Sequence, residues 1–434
     1  MSLRILRVLT VLATTLVGLG LAELVARKTY GEGFNILVDP YEDHSYRPFL
    51  EYEQVWGDRE IRFYTNSLGW KDGRPGRVVE KRPDRERIVI LGDSFAEGVG
   101  YVQEQTPSGV VERTLNAAGR PCEVLNGGRS SYCPLLEYQR LKKFINRGYH
   151  ADTVVLLYDV SDVQDEIYYT SRYQYSPSGE PERFRGWSYH PWVRALYNHS
   201  ALVRSLRRWT QHPETSVLHA GPQIQAEGKP PEIPPELRPG APPITAQRLV
   251  QLSPWAFGVL RNNWMVHPAS LAGWAEDGLR SSFASLRRIQ RLTREHGIRL
   301  VIVIYPIPQM LYTREDPVYY AVLKRTFPRW FADREVILGT RPGPPVTEYE
   351  RRVQDFCQRQ GIELLDLIPD FQRVPEWHRL YIPGDLHFND RGHQLAGERI
   401  AEALQSHGRL AVPPFPITLT RSSRTVGLRH SRVE

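Results

Sequence analysis

Cysteine is scarce in this chain, at three among 434 residues. Cys122, Cys133 and Cys357 are too few for a disulfide framework, and none has the spacing of a metal-ligand set. At most one bridge can form, with Cys122 and Cys133 the pair closest in sequence. Zinc-finger spacing, an RNP-like segment and a basic heptad zipper are also lacking, which argues against nucleic acid as a partner. The net charge of +7 does not restore that reading, because acidic residues are interspersed with basic ones along most of the chain. A basic protein suits an anionic polysaccharide or a membrane surface as well.

Long uncharged runs are rare too, and the clearest stands at the amino terminus. MSLRILR places Arg4 and Arg7 ahead of VLTVLATTLVGLGLA, and Glu23 then precedes LVARK. A basic flank before an apolar stretch is the pattern of a signal peptide or an uncleaved signal anchor. Residues 5–26 just span a bilayer if Arg7 snorkels and Glu23 sits at the far interface. Gly20-Leu21-Ala22 is a passable cleavage site, so a secreted protein is the alternative. We expect residues 1–28 to anchor the chain in the cell inner membrane by a single pass, with the remainder on the periplasmic side. A buried helix of a cytosolic domain would leave the basic flank as coincidence.

What is plentiful is proline and tryptophan, 34 and 10 residues. Residues 29–85 read as an extended lead-in, with strand-like alternation in IRFYTNSLGWKDG and then the charged EKRPDRER. From Arg87 onward, short apolar runs alternate with helical patterns, which predicts a mostly parallel sheet within an α/β domain at 86–412. The strands fall at 87–91, 122–126, 153–158, 299–305 and 362–367, as continuous apolar runs suited to burial on both faces. Between the first two, Thr106 caps a helix with Pro107 at its first position and Gly119 past its end. PLLEYQRLKKFINRG is an amphipathic helix stopped by Gly148, and Leu279, Phe283, Leu286 and Ile289 make a helical stripe. The last helix covers 391–408. Residues 166–275 break the rhythm, with IYYTSRYQY and the proline-dense 228–243, and read as an insertion without a set of elements of its own. Residues 413–434 read as a disordered tail.

In a parallel sheet, ligands gather at the carboxyl ends of strands. Four polar clusters fall there: Gly92-Asp93-Ser94, Asn126-Gly127-Gly128-Arg129-Ser130-Ser131, Asp159-Val160-Ser161-Asp162, and Asp385-Leu386-His387 before the last helix. A serine at a strand-to-helix turn can present its hydroxyl as a nucleophile while its N–H points at the same spot. It can equally be a plain helix cap. A nucleophilic serine needs a histidine to take its proton, and His387, beside Asp385, is the best placed of thirteen.

These blocks resemble the SGNH, or GDSL, hydrolase family over 86–165 and 276–408. The resemblance implies a three-layer α/β/α, flavodoxin-like domain with a mostly parallel five-stranded sheet carrying the long insertion. It implies Ser94 as nucleophile, and the phrase YIPGDLHFNDRGHQLAGE supplies Asp385 and His387 as its partners. The single residue between that Asp and His, where lipolytic members have two, resembles the polysaccharide O-acetyltransferase and O-acetylesterase branch. The oxyanion hole would then be formed at Ser94, Ser131 and Ser161. Two of these depart from the family, which keeps a glycine at the place of Ser131 and an asparagine at that of Ser161. A hydroxyl is a shorter, less directional donor than an amide.

The resemblance thus implies a serine esterase or O-acyltransferase acting on O-acetyl groups of an extracytoplasmic polysaccharide, through an acyl-serine intermediate and without a metal or organic cofactor. Its expected partners are the acylated glycan, the membrane through the N-terminal helix, and a polysaccharide-modification machinery. Asn126, Arg129 and Asp162 are candidate substrate-binding residues. Asp162, Asp165 and Glu166 read as a solvated acidic turn in preference to a metal cluster, and His393 as a helix-face residue. Tyr168, Tyr169, Tyr173 and Tyr175 are expected to pack within the insertion before stacking on sugars. The rival from another class is a non-catalytic glycan-binding or assembly protein on a degenerate form of the fold, supported by Ser161.

Overall fold

A computed structural model describes residues 3–30, 35–56, 59–210, 241–252, 260, 264–266, 271–311, 346–383 and 385–406. The expected tail and most of the proline-dense segment lie outside these residues. The first element, α1 (Leu3–Tyr30), is long and apolar enough to cross a membrane. Then come β1 (Ile36–Asp39) and β2 (Asp43–Tyr46), an antiparallel pair, and the strands β3 (Glu51–Trp56), β4 (Arg59–Thr65) and β5 (Lys71–Asp72).

The core starts at β6 (Glu86–Leu91), followed by the short helix α2 (Ser94–Glu97), α3 (Pro107–Ala117), β7 (Cys122–Asn126), α4 (Pro134–Asn146), β8 (Thr153–Tyr158) and α5 (Asp162–Thr170). The expected insertion carries a small hairpin, β9 (Tyr173–Tyr175) and β10 (Pro181–Phe184), and two helices, α6 (Pro191–His199) and α7 (Ala201–Thr210). It therefore has elements of its own, too short to show in the sequence pattern. The chain closes with α8 (Trp274–Glu295), β11 (Arg299–Ile304), α9 (Glu348–Gln360), β12 (Glu363–Asp366) and α10 (Asp390–Gln405).

All five predicted strands form, paired in parallel in the order β7-β6-β8-β11-β12. Ile88, Val89, Ile90 and Leu91 of β6 are fully buried, because helices cover both faces of the sheet. Numbered along the chain the order is 2-1-3-4-5, the flavodoxin-like arrangement. Helices α3 and α10 pack together on one face, while α4 and α8 pack on the other. There Phe283 of α8 stacks on Phe356 of α9 at 4.3 Å between ring centres. The strand order reverses between β6 and β8, so the polar turns after these two strands open at the switch point, where such sheets hold ligands.

The sheet is wider than five strands. In the segment read as a lead-in, β5 pairs antiparallel with β7, β4 with β5 and β3 with β4, which extends the sheet to eight strands. This ribbon covers the edge that β7 would otherwise leave open.

The three cysteines are free and buried, so the Cys122–Cys133 bridge does not form. The acidic turn is not solvated either: Asp162, Asp165 and Glu166 are buried, because α5 is covered by α8 and α4. Glu166 accepts from the Leu135 N–H and the Ser285 hydroxyl. Among the described residues, no group of three or more His, Cys, Asp or Glu side chains could hold a metal ion.

Glu137 of α4 joins this acidic interior with neither carboxylate oxygen hydrogen-bonded among the described residues. Burial, then the charge of Asp93, pushes Glu137 well above the ordinary carboxylate range, and burial and Asp159 do the same to Asp162. Burial and Asp159 raise Asp93 to about 7. Groups whose folded-state values are raised contribute stability that is full below their unfolded values near 4 and is lost as pH climbs through the folded ones. The melting temperature should therefore fall by a few degrees between pH 5 and pH 8, and Glu137→Gln should flatten that slope. A calorimetric pH series on both proteins checks this.

Candidate active site

The turn after β6 settles which residue caps the following helix. Asp93, not Ser94, is the N-cap of α2, its Oδ1 accepting from the Phe95 N–H at 2.9 Å and from the Tyr305 hydroxyl at 3.0 Å. Ser94 is left as the first helical residue with its hydroxyl unneeded for capping. Gly92 precedes them at φ 145°, and a Cβ there would meet Leu157 O at 2.9 Å and the Ala96 Cβ at 2.7 Å. Only glycine allows so abrupt an exit from the strand.

Ser94 Oγ lies 2.8 Å from His387 Nε2, across 293 residues of sequence, and His387 Nδ1 lies 2.5 Å from Asp385 Oδ1. The same carboxylate oxygen accepts from the His387 N–H at 2.9 Å. A longer contact, 3.4 Å, runs from the Ser94 hydroxyl to Asp93 Oδ2. The loop carrying His387 is held on both sides. Ile382 N–H donates to His387 O, and Phe388 is buried against Phe95, Tyr305, Phe371 and Tyr381. Asn389 caps α10 through the Arg391 and Gly392 N–H groups while its amide donates to Arg379 O and Tyr381 O. The DLHFN stretch thus combines His387, which contacts Ser94, and Asp385, which contacts His387, with two residues that fix their loop.

Sequence reasoning missed Trp56, which comes from β3 in the added ribbon. Its indole N–H donates to Asp385 Oδ2 at 3.0 Å, and its ring stands edge-on to the His387 imidazole at 5.2 Å, with Phe95 on the imidazole at 4.9 Å. Both Asp385 oxygens are therefore engaged. Burial raises the Asp385 value, but the charge and hydrogen bonds of His387 and the indole outweigh it and hold the carboxyl at about 2. A tryptophan at a strand end in a segment that reads as a lead-in carries no local signal of this role.

The loop after β7 is organised by Glu97, the last residue of α2. Fully buried, its carboxylate accepts from the Tyr46 hydroxyl, the Ser130 N–H and the Ser130 hydroxyl, each at 2.7 Å, and from Arg129 Nη1 at 3.1 Å. Burial opposes its charge, yet Arg129 and Lys71 overcome this and hold it at about 2. Gly128 lies so close to α2 that a Cβ would sit 2.3 Å from the Glu97 nitrogen. Arg129 N–H donates to Gly92 O, which ties the loop to the turn that carries Ser94. Within it, Ser131 adopts φ 61°, the left-handed conformation natural to glycine, and its N–H meets no acceptor among the described residues. Such a conformation costs an L-residue about 1 kcal/mol or more.

The remaining expected residues are placed differently from their assigned roles. The Ser161 hydroxyl donates to Asp159 Oδ1 at 2.6 Å, a local turn that also takes the Ser161 N–H, so it is committed away from an oxyanion. Asn126 is buried, its amide donating to Gln103 Oε1 and Glu97 O and its carbonyl accepting from Gly128 N–H. Arg129 is buried between Glu97 and the Tyr46 ring. Asp162 is buried and accepts from Asp159 N–H. These three are buried, and their contacts hold the loops. His393 is buried against Tyr101, and burial lowers it to about 3. Tyr169 and Tyr173 are buried around Phe184, in a small cluster with Tyr132 and Leu136.

No family model matches the chain, and no curated protein matches it. Solved structures that resemble it include the lipase/acylhydrolase from Enterococcus faecalis, at 11% identity and a TM-score of 0.33, covering 74% of this chain and 95% of that one. A catalytic mutant of Axe2, an acetylxylan esterase from Geobacillus stearothermophilus, is similar at 10% identity and a TM-score of 0.34, covering 75% and 97%. At this distance neither bears on the chemistry, which rests on the geometry of the chain itself.

Two substitutions separate the roles just described. Glu97→Gln removes the counter-charge of two buried cations and should cost about 3–5 kcal/mol of stability in denaturant unfolding. Trp56→Phe removes one donor to Asp385, leaving a more basic carboxylate that favours the imidazolium. The His387 value, followed by NMR titration, should rise by about one pH unit or less, with the fold unchanged.

Proposed function

We propose that the protein is a serine-dependent enzyme of the SGNH, or GDSL, hydrolase family that attacks ester acyl groups. The observation that carries this reading is the chain of contacts from Ser94 Oγ through His387 to Asp385, at 2.8 and 2.5 Å, at the switch point of the sheet. His387 Nε2 accepts the Ser94 proton as Oγ attacks the ester carbonyl. Asp385, charged and fixed by Trp56, keeps the Nδ1 proton in place and balances the imidazolium. The developing oxyanion is received by the N–H groups of Ser94 and Ser131. His387 returns its proton to the leaving alcohol, and a water or sugar hydroxyl, deprotonated by the same histidine, then releases the acyl group from Ser94.

The substrate side of the proposal is an O-acetyl group on an extracytoplasmic polysaccharide, either removed by water or passed to another sugar hydroxyl. The short Asp-x-His spacing and the N-terminal helix support it. Arg4 and Arg7 before the apolar stretch favour an inner-membrane anchor with its amino end in the cytoplasm and the α/β domain in the periplasm. A polysaccharide-modification machinery would then be its setting.

A second reading, a glycan-binding protein without turnover, is favoured by Ser161, whose hydroxyl is taken by Asp159. Full-length protein in detergent should take up a fluorophosphonate on Ser94, read by peptide mass spectrometry, and should hydrolyse p-nitrophenyl acetate. Ser94→Ala should abolish labelling and lower turnover by about a thousandfold or more. Because Asp385 stays charged above about pH 2, its own ionisation should not appear in the pH profile of turnover above that value. An unlabelled, inert wild type would hand the site to the binding reading.

A further inference from the structure

Outside α1, four large apolar side chains stand well exposed within residues 187–206: Trp187 at 78%, Trp192 at 77%, Leu196 at 58% and Leu206 at 56%. Trp187 sits in the turn before α6, and Trp192, Ala195, Leu196 and His199 follow at spacings that place them on one exposed helix face. Tryptophans rarely remain bare in water, and they concentrate where a membrane meets it.

These helices are fastened to the end of α1. Glu23, near the close of its apolar run, accepts from the Ser200 hydroxyl at 2.7 Å and from the N–H groups of Ala201 and Leu202 at 2.9 and 3.0 Å. Arg27 donates to His199 O at 2.7 Å. Ala26 is buried in this junction while Leu21, Leu24 and Val25 stay exposed. A carboxylate at the edge of the hydrocarbon would be costly alone, and the start of α7 satisfies it. The other side of the pair is bolted to β1: Asn198 exchanges hydrogen bonds with Val38 N–H and O, and Arg204 donates to Ile36 O.

We propose that the turn at Trp187, α6 and the start of α7 form a foot that lies in the headgroup region of the bilayer crossed by α1, with Trp187, Trp192, Leu196 and Leu206 facing the acyl chains. The proposal rests on the reading of α1 as a membrane span. The occupant is lipid because the ends of α6 and α7 are hydrogen-bonded to α1 through Arg27 and Glu23, where its apolar run ends.

The test uses full-length protein in lipid nanodiscs, with plain or acyl-brominated phosphatidylcholine and a minor share of phosphatidylglycerol. The described residues of α1 contain no tryptophan, so quenching by bromine reports on the rest of the chain. Emission should fall by roughly a fifth in brominated lipid, the share of two residues among ten tryptophans. In Trp187→Phe/Trp192→Phe at least half of that loss should disappear. Protein that survives an alkaline carbonate wash of vesicles but shows no quenching, or equal quenching in the variant, overturns the foot and leaves this face for a protein partner. Protein released by the wash overturns the anchor reading and the foot with it, without touching the chemistry at Ser94.

Discussion

The buried charge of Glu97 is the constraint on which the rest of the site depends. It lies in the interior three residues past Ser94, its hydrogen-bond partners come from β2 and the loop after β7, and Lys71 of β5 adds a nearby positive charge. A carboxylate so placed must be paired and hydrogen-bonded, because leaving it without partners would cost several kcal/mol. The loop after β7 consequently has little choice of path: Ser130 wraps the carboxylate, Gly128 is pressed on α2, and Ser131 is left in a left-handed turn with its N–H unspent. The strands before the core are bound to the same centre through Tyr46 and Lys71. The turn that carries Ser94 is shaped by an ion cluster beneath it.

Much of the core was legible because its signals are local. A strand buried on both faces must be apolar throughout, so β6, β7, β8, β11 and β12 could be read one at a time, and caps such as Thr106 marked the helices between them. Ser94, Asp385 and His387 were legible for another reason: each lies in a polar break directly after or before a strongly patterned element. The antiparallel ribbon was less so. Its strands are half-buried, its partner β7 lies more than fifty residues on, and nothing in EYEQVW announces that its last residue reaches Asp385.

The misplacements share a cause. Asn126, Arg129, Asp162 and Ser161 are polar residues at the mouths of strands, where sequence alone suggests groups awaiting a ligand. In the structure they answer one another: Asn126 answers Gln103, Arg129 answers Glu97, and Ser161 and Asp162 close a turn with Asp159. Burial cannot be read from residue type in a turn, and the acidic run at Asp162, Asp165 and Glu166 was misjudged for the same reason. Whether a polar side chain serves the fold or a ligand depends on what covers it, here α8 from more than a hundred residues downstream.

The indole of Trp56 and the carboxylate of Asp385 stand 329 residues apart in the chain. Contacts of such range close only after large loops have been pinned, which makes their formation slow relative to local structure. A ribosome delivers the amino end first, so Trp56 waits for nearly the entire chain before its partner emerges. The hydroxyl of Ser94 is likewise present from early in synthesis, but it lacks its histidine until the last helix is about to form. The Ser94–His387–Asp385 contacts can therefore form only after residue 387 has emerged, and a chain halted before that point would carry Ser94 without these partners.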